Sequence, residues 1–162
     1  VSHALVLFLD PDADRAVRAL RAAAGAPDDP VPPHLTIAAA SDIPAATRAA
    51  LRAELRLLAM PSLWFACLST FTTSEDVLML AAVTDTELLA VHSAVHDVLA
   101  GRVRNPNAYY LPGSWVPHCP IARADIVAAF TAVFPLRPIR ARPSRAAVLD
   151  TRTGEVDVLA EY

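Results

Sequence analysis

A chain of 162 residues, 54% of them apolar, is long enough for one domain with a substantial core, and no apolar run reaches the about 20 residues a membrane helix needs. Its 14 basic residues, all arginine, and 17 acidic ones leave a net charge of −3, which excludes strong long-range attraction to a polyanion and confines any nucleic-acid contact to a local patch. Cys67 and Cys119 make no metal-ligand spacing and read as small buried core thiols, in keeping with a reducing cytoplasm.

In chain order, Val1 to Leu9 lacks a basic leader and a cleavage site, so Ala4 to Leu9 reads as a strand buried on both faces rather than a signal peptide. Asp10 followed by Pro11 predicts a helix start, and Val17, Leu20 and Ala24 keep the helical period until Gly25. Pro27, Pro30, Pro32 and Pro33 make an extended loop that delivers His34 onto a strand of roughly Leu35 to Ala39. Ser41 or Asp42 is the expected cap of a second helix, with Leu51, Leu55 and Leu58 on its buried stripe.

Leu63 to Thr73 and Val77 to Val83 read as a strand hairpin turning at Ser74 to Asp76. A helix from Thr84 or Asp85 to Leu99 stops at Gly101. The long loop from Arg102 to Val116 carries Tyr109, Tyr110 and Trp115. Beyond it come a helix over Asp125 to Phe134 and strands over Leu136 to Arg142, Arg145 to Asp150 and Val156 to Glu161. The pattern is α+β: one bilobal domain over 1–162, with two small, mostly antiparallel sheets facing a central cleft and helices outside. An internal repeat of strand, helix and His-bearing strand spans roughly 4–60 and 77–134.

The repeat is sharpest at Pro33-His34-Leu35-Thr36-Ile37-Ala38 and Pro117-His118-Cys119-Pro120-Ile121-Ala122. On a strand His34 and Thr36 share one face while Leu35 and Ile37 point into the core. An imidazole exchanges protons near neutral pH and a hydroxyl can bond a phosphate oxygen. Two such imidazoles across a cleft suit phosphodiester acid–base chemistry, one as base and one as acid, with no metal or cofactor. Which histidine takes which role depends on the direction of reaction.

These motifs resemble the two-histidine phosphoesterase superfamily and, within it, the bacterial 2'-5' RNA ligase and RNA 2',3'-cyclic phosphodiesterase group, whose hallmark is a pair of His-x-Thr/Ser-x motifs. His34 to Ile37 matches the first in full; the second has Pro120 where Thr or Ser belongs. Leu68 to Phe71 is also similar to the family. The resemblance implies a bilobal fold and a metal-independent hydrolase or transesterase with His34, His118 and Thr36 as its catalytic set. The implied substrates are RNA ends or small nucleotides bearing 2',3'-cyclic phosphate or 2'-5' bonds. Independently, the missing apolar span sets the expectation of a cytoplasmic protein with no membrane partner, and a monomer is expected. Arg123, just past the second motif, is the expected phosphate ligand, although simple alternation points it away from His118. Tyr110, Trp115 and Phe71 are candidate substrate contacts, with loop packing or core the alternative for each. Pro120 removes a hydroxyl and an N–H from the second half-site. That predicts a slowed enzyme, a different natural substrate, or a module that binds without turnover.

Other residues read more plainly. His92 and His96 have i, i+4 spacing that permits a metal, but helix packing is the favoured reading. His3 has no sequence partner and no assigned role. Cys119 beside His118 faces the opposite way and reads as a core thiol. Arg137, Arg140, Arg142 and Arg145 either line a phosphate site or form a solvated strand face, the second being favoured.

Overall fold

The computed structural model describes residues 2–162 and contains nine strands and four helices among them. The strands are β1 (His3–Leu9), β2 (His34–Asp42), β3 (Leu63–Ser69), β4 (Leu78–Ala82), β5 (Arg104–Pro106), β6 (His118–Ala122), β7 (Ile139–Ala141), β8 (Pro143–Asp150) and β9 (Val156–Glu161). The helices are α1 (Pro11–Ala23), α2 (Ala45–Leu55), α3 (Thr86–Leu99) and α4 (Ile126–Val133). They build two antiparallel sheets, ordered β5-β2-β1-β8-β9 and β6-β4-β3-β7, in an α+β arrangement.

Local chemistry accounts for most boundaries. Asp10 caps α1 by accepting from the N–H groups of Asp12 and Ala13, with Pro11 at the first helical position, a cap worth about 1 kcal/mol. Its second oxygen accepts from the Arg142 N–H, so the same carboxylate ties the start of α1 to the link between β7 and β8. Asp85 caps α3 through the Leu88 N–H.

The start of α2 departs from expectation. Neither Ser41 nor Asp42 caps it, because β2 runs on to Asp42; the cap position is Pro44, with no side-chain bond. Ser41 instead donates to the Arg104 carbonyl of β5, a strand that lies inside the region expected to be loop. β3 is shorter than expected, ending at Ser69. A register shift between Phe65 and Cys67 also reverses its alternation: Leu68 packs on the core and Cys67 is exposed, contrary to the buried thiol expected there.

The main core gathers Leu5, Leu7, Leu35 and Ile37 of one sheet with Leu78, Leu80, Cys119 and Ile121 of the other, under the helices. Each large side chain fully buried there contributes about 1.5–3 kcal/mol. The opposite face of the first sheet carries a smaller cluster, Val6, Phe8, Ala147 and Leu149, with Tyr110 packed on it. His34 and Thr36 alternate with Leu35 and Ile37 and so lie on this second face. Among the described residues no helix is long and apolar enough to cross a membrane.

Candidate active site

The two Pro-His segments fold alike. Leu9 at the end of β1 donates its N–H to the Pro33 carbonyl, and Ala82 at the end of β4 donates to the Pro117 carbonyl. His34 then opens β2 opposite Phe8, and His118 opens β6 opposite Ala81. Each imidazole donates from Nδ1 to the carbonyl two residues back, His34 to Pro32 and His118 to Val116, both at 2.8 Å. A carbonyl only accepts, so Nδ1 carries the proton and Nε2 of the neutral ring keeps its lone pair. An aromatic edge steadies each ring: Phe8 against His34 at 5.8 Å and Phe71 against His118 at 5.1 Å.

Both imidazoles are less basic than in water. Burial lowers the pKa of His34, the Pro32 carbonyl works against that, and the charges of Arg21 and His118 lower it further while Asp29 raises it. Burial also lowers that of His118, opposed by the Val116 carbonyl and reinforced by Arg123. The charge of His118 is thus felt at His34.

Two cavities adjoin there. One of about 270 Å³ is lined by His34 with Arg21, Asp29 and Pro30; one of about 430 Å³ by His118 with Phe71, Tyr109, Tyr110 and Asn107. Pro120 and Arg123 line both, so they form the wall between the two histidines. Arg123 faces the cleft because β6 ends at Ala122 and the chain bends, with Asp125 at φ 44°; strand alternation no longer applies. The Arg123 charge acts on both His118 and Tyr110.

Thr36 is half-buried on β2 and lines neither cavity; its hydroxyl lies close enough to Tyr110 to bear on that phenol's pKa. Burial pushes the Tyr110 phenol above its usual pKa, against the pull of Arg123 and Thr36, so it stays a neutral hydroxyl. Trp115 is not where a base-stacking residue would be. It is 9% exposed, stacked on His92 at 4.1 Å, and donates from Nε1 to the Thr36 carbonyl at 3.0 Å. The long loop folds its indole inward as a support for β2, with no face left for a ligand.

Behind Trp115, the α3 histidines pack rather than protrude. His92 donates from Nε2 to the Tyr110 carbonyl at 2.8 Å and His96 to that of Ile37 at 3.2 Å. Burial lowers the pKa of His92 to about 4, opposed by the carbonyls and reinforced by His96, so it is neutral. Among the described residues no three His, Cys, Asp or Glu side chains gather as a metal site needs. Cys119 is fully buried, and burial pushes its thiol pKa up despite the nearby Arg21 charge. His3 sits at the other end of β1, where its Nδ1 accepts from the Ile43 N–H.

The basic segment divides. Arg140 lies over Trp64 at 4.2 Å on the outer sheet face, whereas Arg145 lies over Phe8 at 4.6 Å, in the row that runs His34, Phe8, Arg145 across three strands. Arg21 is the site residue that motif reading missed. The available signal was its place four residues after Val17, on the buried stripe of an amphipathic helix, where a charge needs a reason.

An α+β protein whose two sheets each open a strand with a Pro-positioned histidine, the two rings lining adjoining cavities that share Pro120 and Arg123, defines a two-histidine class. A family model, the 2'-5' RNA ligase superfamily, matches residues 8–155, which take in both motifs, and the chain belongs to that superfamily. Among curated proteins no match is found.

Proposed function

We propose that the protein is a metal-independent phosphodiesterase or transesterase acting on 2',3'-cyclic phosphate or 2'-5' phosphodiester bonds of RNA ends or small nucleotides. The observation that carries this reading is the matched pair of imidazoles, each with Nδ1 committed to a carbonyl and Nε2 left for the cleft. One Nε2 lone pair accepts the proton of the attacking water or hydroxyl, and the other ring, protonated, gives its proton to the leaving oxygen. Lowered pKa values favour the base. A bound phosphate anion favours protonation of the partner, so the substrate itself helps assemble the acid–base pair. In this reading Arg123, which lines both cavities, and Thr36 hold phosphate oxygens, and Phe71, Tyr109 and Tyr110, which surround the larger cavity, receive a nucleoside.

The test is hydrolysis of 2',3'-cyclic nucleotides in the presence of chelator. His34→Ala and His118→Ala are each expected to lower kcat by about 10²–10⁴-fold. Activity that survives both changes removes the mechanism. Pro120 favours a second reading, in which the cleft captures a phosphorylated RNA end or nucleotide without turning it over. Tight binding with no turnover, unaltered by Pro120→Thr, would favour that module.

A further inference from the structure

Pro120 occupies the position that Thr36 occupies in the first half-site, and the structure puts an unusual arginine against it. Arg21, in the last turn of α1, donates from Nε to the Pro120 carbonyl at 3.1 Å. The equivalent carbonyl of Thr36 is also capped by a side chain from another element, the Trp115 indole. In extended backbone the N and carbonyl of one residue lie on the same side, so Pro120 gives up an N–H that faces away from β4. Thus the proline is compatible with the strand, and the carbonyl on that outward side is the one the Arg21 guanidinium caps.

The Arg21 side chain is 12% exposed and lines the smaller cavity with His34, Pro120 and Arg123. Its Nη1 is buried and has no hydrogen-bond partner; the nearest carboxylate oxygen, on Asp29, is 3.9 Å away, too far for a hydrogen bond. The Cys119 thiol also lies within reach of the guanidinium, but sulfur is a weak acceptor, so this buried charged donor gains by taking an anionic oxygen. The site is mirrored as well, since Arg21 acts electrostatically on His34 as Arg123 does on His118.

We propose that Arg21 supplies the phosphate donor that the second motif lacks: the substrate's phosphate takes the Nη1 hydrogen bond in place of the absent Thr or Ser hydroxyl, displacing the loosely paired Asp29. This deepens the phosphodiesterase reading and rests on it for the identity of the anion. A guanidinium bond to phosphate is charge-assisted and stronger than the hydroxyl bond it replaces. Asp29 is 49% exposed, so its competition is weakened by solvent.

The experiment is a double-mutant cycle on Arg21→Gln and Pro120→Thr, read by inorganic phosphate binding in 31P NMR and by cyclic-nucleotide kinetics. Arg21→Gln is expected to weaken phosphate binding and lower kcat/KM by about tenfold or more. Pro120→Thr should restore much of that loss in the Arg21→Gln background, a rescue that a purely structural role for Arg21 does not give. Arg21→Lys, which keeps the charge and guards against misfolding of the glutamine variant, should retain intermediate phosphate affinity; Asp29→Asn should raise it. Wild-type phosphate affinity in Arg21→Gln, or additive effects with no rescue, overturns the assignment, as does failure of the wild type to bind phosphate. If phosphate binding depends on Arg21 while no cyclic nucleotide is turned over, the donor role stands and the phosphodiesterase reading falls.

Discussion

Around His34 and around His118 the backbone makes the same structure twice. A strand end donates to a proline carbonyl, the next residue is the histidine, and its Nδ1 turns back to the carbonyl two residues earlier. Two residues further on the halves part: Thr36 offers a hydroxyl that meets Tyr110, and Pro120 offers none. The supports differ too. Behind Thr36 stand Trp115, His92 and His96, all bonded to backbone carbonyls around β2, whereas behind Pro120 stands one arginine. The comparison teaches that the orientation of each imidazole is a backbone property that survives loss of the threonine, while the anion-binding groups around it are free to be redistributed.

Acid should strain the two halves unequally. His92 has a folded pKa of about 4, below the unfolded value near 6.5, so its contribution is complete above pH 6.5. As pH falls from there the unfolded chain takes up a proton that the folded one refuses, and stability drops until about pH 4, by on the order of 3 kcal/mol in all. Denaturant melts at pH 7 and pH 5 should show a little over half of this loss, about 2 kcal/mol, in the wild type and a shallower one in His92→Gln. An equal slope in both proteins would separate the α3 support from the first half-site.

Next in size is Thr36→Val, which removes the hydroxyl near Tyr110. It should lower kcat/KM on a 2',3'-cyclic nucleotide by about ten- to a hundredfold. Pro120→Val, the matching change in the other half, should leave the rate nearly unaltered. A similar loss in both variants would erase the asymmetry between the motifs. The smallest effect is expected from Pro120→Thr alone, a gain of up to about tenfold in kcat/KM, because Arg21 already occupies that role. An unchanged or lower rate on the best cyclic phosphate would count against a role for a hydroxyl at that position.

Reading the chain gave the fold class, both histidine motifs, the α1 and α3 caps and the last strand. These depend on local signals: hydrophobic period, Asp-Pro and Gly punctuation, and a phrase repeated at two positions. The start of α2 and the exposure of Cys67 were not legible. Strand extension through Asp42 is fixed by pairing with β5, and the side on which Cys67 emerges by a register shift against β4. Trp115 was open between ligand contact and loop packing for the same kind of reason: an indole in a long loop looks available until the loop packs it on His92.

The amino-acid order by itself determined that two imidazoles would be presented alike, because proline before histidine and alternation after it are rules of neighbouring residues. Tertiary structure alone decided what surrounds them. Arg21 lies far from Pro120 along the chain yet bonds its carbonyl, and Arg123 turns into the cleft only because β6 stops at Ala122. Contacts of that kind come from how helices and sheets pack against one another, which no local pattern encodes.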